Sequence, residues 1–408
     1  MWSDIYFNKG NAMILEYIHA DNTRETLELA EDCSVNSSWE YVHTLDKLSF
    51  IKQFIPAYLS GQKSVLFDAN HKQLLDFYNA NNINELEGIE QLSKDSQILF
   101  FTSGSSGFPV GAFKTKQNLE SEVESLKEIL TTREIKRVVV TVPFVHIYGI
   151  LAGLLLPLSL KNITLIVKED FLPYELIEEA KEPNTLVITT PVFIKALAKV
   201  PSEIKLPQTL FISSTAPLSL EDVALFQEKY KSDVMQLFGS TETGGIAYKI
   251  GAGVKWKSLQ KVSVETKEDK LSVRSPFISE YLLRDKIEAL VLPYVTEDIV
   301  EIDSEGFTLI GRSNKLIKIA GKRISATQIE SILEEIPEVN RAIVSLVYKK
   351  ELLRSEQILI TLEATETLNK KTVKEKISQY YGIITIPFTL KYVDKINYSA
   401  MGKKVIFQ

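Results

Sequence analysis

Four short runs of apolar and β-branched residues constrain the fold of this chain more than any other feature. The runs are RVVVTVPF (137–144), ITLIVK (163–168), TLVITT (185–190) and TLFISS (209–214). Almost every position in them is apolar or β-branched, whereas a strand with one solvent-facing side shows alternation. The runs therefore predict strands that are covered on both faces, as in a mostly parallel sheet.

Amphipathic helical segments separate these runs and the apolar runs before them. Leu48 to Leu59 predicts a helix, SVLFDA (64–69) a strand, and His71 to Tyr78 a further helix. Strands that alternate with helices are the pattern of α/β folds. We expect an α/β protein whose large N-terminal domain has mostly parallel sheets and covering helices.

The pattern changes after residue 294. Helices are predicted at about 325–335 and 370–380, and strands at about 339–348, 357–363 and 388–394. This order predicts a small C-terminal α+β domain. The preceding stretch GRSNKLIKIAGKR (311–323) is basic and punctuated by glycine, which is typical of a linker. We place the two domains at residues 1–311 and 312–408.

Composition excludes several classes of protein. Of 408 residues, 45% are hydrophobic and 25% are charged, which is typical of a folded globular protein and not of a disordered or fibrous one. The formal net charge of -6 gives no broad basic surface. Nucleic acid is therefore not an expected partner.

The single cysteine and the apolar segments indicate the cellular compartment in which we expect the protein. The single cysteine, Cys33, cannot form an internal disulfide, so the fold does not depend on an oxidising compartment. Residues Met1 to Asp4 do not resemble the start of a signal peptide. The longest apolar stretch, Ile147 to Leu160, contains two glycines and a proline and is shorter than the roughly 18 residues of a membrane span. We expect a cytoplasmic protein with no membrane span, in which this stretch is a core helix.

A loop rich in glycine and hydroxyl groups follows an apolar run in FTSGSSGFPVGAFKT (101–115). Backbone N–H groups of such a loop can approach an anion closely, and hydroxyls add donors; the structural alternative is a flexible surface turn. The Gly-Lys-Ser/Thr of a Walker loop is not present, and Gly104, Gly107 and Gly111 do not fit the dinucleotide pattern Gly-x-Gly-x-x-Gly.

The segment TSGSSGFPVG (102–111) instead resembles the phosphate-binding loop of the acyl-adenylate-forming (AMP-binding) superfamily. This superfamily includes acyl-CoA and aryl-CoA synthetases, adenylation domains of peptide synthetases, and luciferases. Further resembling segments follow in the expected order: PFVHIYG (143–149), SSTAPLS (213–219), QLFGSTETGG (236–245), TED (296–298), GRSNKLIKIAGKRISATQIE (311–330) and AMGKK (400–404). Residues 1–95 carry no motif, and the resemblance implies a shortened N-terminal portion.

The resemblance implies a site for ATP and Mg²⁺. The nucleotide-binding residues would be Thr102, Ser103, Gly104, Ser105, Ser106, Gly107, Ser214, Thr215, Ala216, Pro217, Phe238, Gly239, Ser240, Asp298 and Arg312. Among these, the loop hydroxyls would hold the β- and γ-phosphates and Asp298 the ribose hydroxyls. Thr241 would bind the α-phosphate and Glu242 the Mg²⁺, a hard cation that prefers oxygen ligands.

The resemblance also implies which residues meet the acid. His146 would lie near the reacting carboxylate, with Tyr148 and Gly149 lining the substrate pocket. Lys403 would stabilise the charge that grows in the adenylation transition state. Taken without the resemblance, His146 is a structural hydrogen-bonding residue and Lys403 a solvated lysine near a chain end.

The resemblance also implies a second half-reaction. Before it, the mobile C-terminal domain would rotate about a hinge at Asn314. The rotation would allow the thiol of coenzyme A, or of the phosphopantetheine of an acyl carrier protein, to attack the adenylate. Gly321 would leave room for the thiol, and Lys322 or Arg323 would meet the phosphates of this acceptor.

Some positions depart from the superfamily's common pattern. Val110 stands where a lysine is usual, and Lys114 and Lys116 are candidates to replace that cation. The pair Ser214-Thr215 replaces the usual Gly-Gly of the adenine turn. In addition, Asn314 replaces the usual Asp or Lys of the hinge, and no Arg follows Lys403 three residues on.

The main hypothesis is an AMP-forming acid–thiol ligase that activates a small-molecule carboxylic acid, aryl or medium acyl. Two alternatives stay open. One is an enzyme that adenylates without forming a thioester, and the other is a non-catalytic, nucleotide-binding regulatory protein of the same fold, which the valine at position 110 motivates.

Overall fold

A computed structural model describes most of the chain. The described residues are 13–27, 37–42, 46–66, 76, 81–101, 110–253, 255–312, 316–319, 322–348, 356–381, 388–398 and 404–405. The helix predicted at 71–78 lies almost wholly outside these ranges, so it stays a prediction.

The described strands and helices alternate along the chain as the α/β pattern predicts. The strands are β1 Ile14–Ile18, β2 Arg24–Leu27, β3 Glu40–Val42, β4 Ser64–Leu66, β5 Ser96–Phe101, β6 Gly111–Thr115, β7 Arg137–Val140, β8 Thr164–Lys168, β9 Thr185–Thr189, β10 Thr209–Ser213, β11 Asp233–Ser240, β12 Gly244–Ile250, β13 Lys257–Ser258, β14 Ser263–Lys267, β15 Lys270–Arg274, β16 Tyr281–Leu283, β17 Ile287–Ala289, β18 Tyr294–Asp303, β19 Gly306–Arg312, β20 Leu316–Ile319, β21 Lys322–Ser325, β22 Val339–Tyr348, β23 Glu356–Ala364, β24 Phe388–Tyr392, β25 Asn397–Tyr398 and β26 Lys404–Val405. The helices are α1 Lys47–Ser60, α2 Lys116–Leu130, α3 (segments Ile147–Ile150, Leu151–Leu155 and Leu156–Ser159), α4 Pro173–Ala180, α5 Pro191–Lys199, α6 Leu220–Tyr230, α7 Ala326–Leu333 and α8 Lys370–Tyr381. Short 3₁₀ turns lie at Ile83–Glu85 and Ile89–Gln91.

Contacts between Cα atoms divide the chain into two compact units. The first comprises Met1–Val264 and Val273–Tyr294, and the second comprises Glu265–Ser272 and Val295–Gln408. The predicted domain boundary at 311/312 and the hinge at Asn314, which lies outside the described residues, remain predictions.

The first unit is built on a nine-stranded sheet of order β13-β12-β11-β10-β9-β7-β8-β1-β2. The six strands from β11 to β1 in this order are parallel to one another. Antiparallel strands flank this group on both sides. All four strands predicted from the apolar runs are present, although β7 ends at Val140, ahead of Pro143. The prediction of a mostly parallel sheet is confirmed.

Helices cover this sheet on both faces, which explains the uninterrupted apolar runs. In β10, Leu210 and Ile212 pack in a core with residues of α1, α2 and α3. Phe211 points to the other face, where it packs with residues of α4, α5 and α6. Every residue of β9 and β10 is consequently buried.

Helix α3 is the core helix predicted from the longest apolar stretch. Its middle segment, Leu151–Leu155, is a π-helical turn between two α-helical segments. The residues of this middle segment are all buried. Within the described part of the chain, no helix combines the length and the apolar character needed to cross a membrane.

A second sheet of the first unit has the order β17-β16-β6-β5-β4-β3. Strands β5 and β6 are antiparallel, and every residue in both is buried. Their register pairs Phe101 with Gly111. The glycine- and hydroxyl-rich segment therefore joins the adjacent ends of two buried strands.

The second unit holds smaller sheets. One has the order β14-β15-β18-β19 and another the order β22-β23-β24, and helices α7 and α8 belong to the core of the latter. The predicted C-terminal α+β pattern is thus present. The stretch predicted to be a linker, 311–323, contains β20 and the first two residues of β21, and these two strands pair antiparallel. The alternating sequence LIKI and the glycine between the strands are hairpin signals that the linker interpretation overlooked.

We expect Phe226→Ala to lower the free energy of unfolding of the first unit by about 3–5 kcal/mol. The side chain is fully buried on α6, and its ring centroid lies 4.8 Å from that of Phe211 and 4.9 Å from that of Tyr230. The change is measured by urea denaturation, with unfolding monitored by far-UV circular dichroism. The control is Leu225→Ala on the same helix, where the side chain is 47% exposed and the expected change is within about 0.5 kcal/mol. Equal losses in both variants would contradict this packing.

Candidate active site

Several of the predicted site residues lie outside the described residues. They are Thr102, Ser103, Gly104, Ser105, Ser106, Gly107, Asn314, Gly321 and Lys403. Arg323 is on β21. The roles predicted for all of these residues stay predictions.

The predicted adenine turn follows β10 at the carboxyl edge of the nine-stranded sheet. Ser214 Oγ donates a hydrogen bond to the carbonyl oxygen of Leu237 on the neighbouring strand β11, at 2.9 Å. The parallel register pairs Ser213 with Gln236. The turn Ser214–Pro217 therefore lies beside Phe238 and Gly239, and ligands of open α/β sheets bind at this kind of edge.

Thr215 has a backbone conformation that favours glycine. Its φ is +86°, in a region that β-branched residues seldom adopt because Cβ approaches the following carbonyl. The Gly-Gly expected at this turn would adopt it freely. The turn thus keeps its glycine-like conformation although the residue is threonine, at a cost in strain.

The predicted phosphate and magnesium ligands lie in a tight loop between β11 and β12. Ser240 and Thr243 close the loop: Ser240 N donates to Thr243 Oγ1 at 3.1 Å, and Thr243 N donates to Ser240 Oγ at 3.2 Å. At its base a Cβ on Gly239 would lie 2.2 Å from the carbonyl oxygen of Gly244, so only glycine fits. Thr241 and Glu242 are held half-buried at the tip.

The backbone of Glu242 is anchored to a neighbouring segment. Its carbonyl oxygen accepts hydrogen bonds from Ser279 N at 2.9 Å and from Lys114 Nζ at 3.0 Å. These bonds use the carbonyl and not the carboxylate. They therefore fix the main chain of Glu242, and its carboxylate acts on Lys114 only through charge, which favours the protonated form of that lysine.

The amine of Lys114 lies in the core. The side chain is fully buried, and besides the carbonyl of Glu242 its Nζ donates to the carbonyl oxygen of Phe277 at 2.6 Å. Burial lowers the pKa of Lys114, and the Glu122 carboxylate nearby opposes that shift. Two of the three Nζ donors of Lys114 are thus bound to backbone carbonyls inside the core, so this structure gives no support to the hypothesis that Lys114 replaces the cation expected at Val110.

Lys116, the other candidate for the missing cation, contacts residues of α1 and α2. Its Nζ lies 5.3 Å from the ring centroid of Tyr58 and 4.0 Å from Glu120 Oε1. The first contact has the geometry of a cation–π interaction. In the described part of the chain, Lys116 thus has partners on α1 and α2 and not in the loop that carries Glu242.

The predicted acid-pocket residues hold the start of α3 against the sheet edge. The hydroxyl of Tyr148 lies 3.0 Å from the carbonyl oxygen of Thr189 and 2.8 Å from that of Ile212, and burial raises its pKa. A Cβ at Gly149 would lie 2.1 Å from the carbonyl oxygen of Pro143. His146 is half-buried at the N-cap of the helix. The packing of Tyr148 and Gly149 explains their residue types, and pocket lining stays a prediction.

Asp298 and Arg312 are brought together in the second unit. They are cross-strand partners on β18 and β19, and Arg312 Nε lies 3.6 Å from Asp298 Oδ1. Asp298 N also donates to Thr296 Oγ1 at 3.0 Å. The pair presents a carboxylate and a guanidinium side by side, which suits the hydroxyls and phosphate of a nucleotide.

The hydroxyl of Thr241 and the carboxylate of Glu242 are oxygen ligands, which is the kind of ligand that Mg²⁺ prefers. This cation keeps several waters and is usually held by one or two carboxylates together with substrate phosphates. Among the described residues, no group of three or more His, Cys, Asp or Glu side chains is arranged to hold a metal. Glu242 would supply the protein carboxylate, and a triphosphate the remaining charged ligands.

Sequence reasoning missed an aromatic contact beside the predicted nucleotide site. The ring centroids of Phe238 and Trp256 are 5.4 Å apart, and Lys249 Nζ lies 4.7 Å from the Trp256 ring. Burial lowers the pKa of Lys249. No motif contains Trp256, and nothing in the linear sequence indicates that it lies against Phe238.

The buried pair Lys114 and Glu122 was also missed as a pair, although the sequence holds a signal for each. Lys114 interrupts an otherwise apolar strand, GAFKT. Glu122 falls on the buried stripe of α2 that also contains Leu119, Val123 and Leu126. A charged residue at a position with core periodicity indicates a buried partner.

Comparisons with known proteins bear on the family and the fold of the chain. A family model described as AMP-binding enzyme matches residues 34–273, which is more than half of the chain. A probable 4-coumarate–CoA ligase 2 of Dictyostelium discoideum is 26% identical over 335 residues, covering 72% of this chain and 61% of that protein. The peroxisomal OPC-8:0-CoA ligase 1 of Arabidopsis thaliana is 25% identical over 342 residues, covering 76% and 62%. The chain thus spans about three fifths of the length of these curated relatives.

Solved structures share the fold over nearly the whole chain. O-succinylbenzoate coenzyme A synthetase of Bacillus subtilis, in complex with ATP and magnesium, has a TM-score of 0.78 at 16% identity and covers 98% of this chain and 97% of that one. ATP-bound MatB of Rhodopseudomonas palustris has a TM-score of 0.76 at 16% identity, covering 98% and 96%. At this identity the likeness shows the fold, with a large N-terminal and a small C-terminal domain.

We expect Thr215→Gly to raise the free energy of unfolding by up to about 1 kcal/mol, because the relief of left-handed strain exceeds the entropic cost of glycine. The control is Thr131→Gly at the exposed end of α2, where φ is -58°. There glycine relieves no strain, and we expect a loss of about 0.5–1 kcal/mol. Urea denaturation measures both changes, and a loss of the same size in both variants would contradict the strained turn.

Proposed function

Because the chain belongs to the AMP-binding enzyme family, we propose that it is an ATP-dependent acid–thiol ligase that forms AMP. The observation that carries this proposal is the loop Ser240–Thr243, closed by its own hydrogen bonds beside the turn Ser214–Pro217. The loop presents a hydroxyl and a carboxylate where a nucleotide's phosphates and magnesium would bind.

The reaction has two steps in this proposal. In the first, a carboxylate oxygen of the acid attacks the α-phosphorus of ATP, and the bond between that phosphorus and the bridging oxygen breaks to release pyrophosphate. In the second, a thiol sulfur attacks the carbonyl carbon of the acyl-adenylate, loses its proton, and AMP leaves with the bond electrons. Holding both reactants in line accounts for much of the acceleration in such a transfer.

The protein's part in the first step is to bind and orient ATP. Thr241 would donate to the α-phosphate and the hydroxyls of residues 102–106 to the β- and γ-phosphates. Asp298 would accept from the ribose hydroxyls and Arg312 would contact the same region of the nucleotide. Magnesium held by Glu242 would neutralise phosphate charge.

The acid would lie near His146, and Lys403 would supply the positive charge that stabilises the pentacoordinate transition state. Coenzyme A is the acceptor we propose, because both curated relatives above are named as CoA ligases. The acid is an aryl or medium acyl compound. An acyl carrier protein as acceptor, and a cytoplasmic location, remain predictions.

Pyrophosphate release tests the function. The purified chain is incubated with Mg·ATP and a panel of aryl and medium-chain acids, and coenzyme A or a phosphopantetheinylated carrier protein is then added. We expect release with at least one acid and a thioester of coenzyme A. Release without any thioester would favour adenylation alone, and no release with any acid would favour the non-catalytic alternative.

We expect Lys403→Ala to slow pyrophosphate release by about 100-fold or more, the usual effect of removing one group that stabilises transition-state charge. Thioester formation from the preformed adenylate should change by less than about threefold, since that step does not use this charge.

The adjacent lysine provides a matched control. Lys404 Nζ lies 2.6 Å from Glu334 Oε1 and 3.0 Å from the carbonyl oxygen of Ala342, so Lys404→Ala should lower stability and leave the adenylation rate of the folded protein unchanged. Adenylation by Lys403→Ala at the wild-type rate would show that the lysine is wrongly assigned.

A further inference from the structure

Two charged side chains in the core of the first unit have no part in the function above. Lys114 on β6 is fully buried, and Glu122 on α2 is 6% exposed. The effective cost of burying one ion is several kcal/mol unless partners compensate it. Among the described residues, the hydrogen-bond partners of these two side chains are backbone groups of the segment 242–245 and of Phe277.

Lys114 joins three parts of the first unit. Its Nζ donates to the carbonyl oxygens of Glu242 at 3.0 Å and Phe277 at 2.6 Å. Ser279 N donates to the same carbonyl of Glu242 at 2.9 Å. Strand β6, the loop that carries Glu242 and the segment 277–279 are therefore tied at one point.

Glu122 holds the other side of the same loop. Its Oε1 accepts a hydrogen bond from Gly245 N at 2.8 Å. A Cβ at Gly244 would lie 2.4 Å from Glu122 Oε2, and Gly244 has a φ of +69°. The carboxylate thus packs directly against the backbone at the end of the loop, which is why glycine is needed there.

Asn118, one helical turn before Glu122, reinforces this arrangement. Its Nδ2 donates to the carbonyl oxygen of Pro276 at 2.7 Å. Helix α2 therefore holds both the loop and the segment that contacts the loop. Because Lys114 and Glu122 carry opposite charges, each offsets part of the other's cost of burial; burial lowers the pKa of Lys114 and raises that of Glu122.

We propose that Lys114 and Glu122 are positioning residues that fix the main chain on both sides of Glu242, so that its carboxylate is already oriented for magnesium bound to ATP. This inference rests on the proposed function. Ordering a loop when a ligand binds costs conformational entropy, and a loop that is ordered in advance does not have this cost on binding.

The test measures how much magnesium strengthens ATP binding. Isothermal titration calorimetry gives the dissociation constant of ATP with Mg²⁺ and with EDTA, and their ratio is the magnesium gain. In Lys114→Met, which keeps an unbranched side chain one atom shorter and removes its donors, we expect the gain to fall about tenfold, the equivalent of 1.4 kcal/mol. ATP binding in EDTA should change by less than about threefold.

Lys47→Met is the matched control for the loss of a buried lysine. Lys47 is 7% exposed and its Nζ donates to the carbonyl oxygens of Thr141, Lys168 and Glu169 at 3.1, 2.9 and 2.8 Å. Burial lowers its pKa to about 8. We expect both variants to lose thermal stability and only Lys114→Met to lose the magnesium gain. A similar loss of gain in Lys47→Met would show that the effect is general destabilisation and would overturn the proposal.

A double-mutant cycle with Glu242→Gln shows whether Lys114 acts through Glu242. If it does, Lys114→Met in the Glu242→Gln background removes no further magnesium gain, because the ligand that it orients is already lost. Independent, additive losses would overturn the proposal.

Glu122→Gln provides a second variant if Lys114→Met does not fold. The amide oxygen can still accept from Gly245 N, so we expect a folded protein. A hydrogen bond to a neutral oxygen is weaker than one to a carboxylate and holds the main chain less firmly, so we expect the magnesium gain to fall about threefold. An unchanged gain in this folded variant would overturn the proposal. If the wild-type protein binds Mg·ATP and every variant keeps the wild-type magnesium gain, this inference alone is overturned. If the wild-type protein does not bind Mg·ATP, the proposed function is overturned as well.

Discussion

Leu210, Phe211 and Ile212 are consecutive residues of one strand, and all three are buried, because helices cover both faces of the sheet that contains them. The middle of β7, β8, β9 and β10 is accordingly apolar, and the polar side chains of these four strands stand at the strand ends. Ligands of open α/β sheets bind at such ends. The Ser214–Pro217 turn, the Thr241–Glu242 loop and the start of α3 all lie at or beside these ends, and their positions depend on this constraint.

At this edge the protein holds its candidate ligands mainly through backbone contacts. Ser214 bonds to the carbonyl of Leu237, Lys114 to the carbonyl of Glu242, and Glu122 to the N–H of Gly245. Side chains that bind main-chain atoms leave the ligand groups of neighbouring residues available. The arrangement suits a site that must hold several phosphates, since such a site needs fixed donors and one carboxylate more than a large cluster of charges.

Local patterns predicted the elements of this site well. The four apolar runs were strands, the stretch from Ile147 was a core helix, and the C-terminal order of helices and strands was found as expected. Patterns were less informative where the same residues suit two structures. Glycine and basic residues within 316–325 are typical of a linker, yet Leu316–Ile319 and Lys322–Ser325 pair as antiparallel strands. Backbone pairing between two segments does not depend on the composition that indicated a linker.

The order of the motifs along the chain by itself determined the family, the α/β class and the residue types available for a nucleotide, since these depend on local sequence. Only the tertiary structure decided what Lys114 does. Its amine was a candidate for the missing phosphate-loop cation, and the fold instead encloses it between the carbonyls of Glu242 and Phe277, which lie far along the chain. The reason is physical: the partner of a buried charge is chosen by which backbone groups the packing brings within hydrogen-bond distance, and no local pattern contains that information.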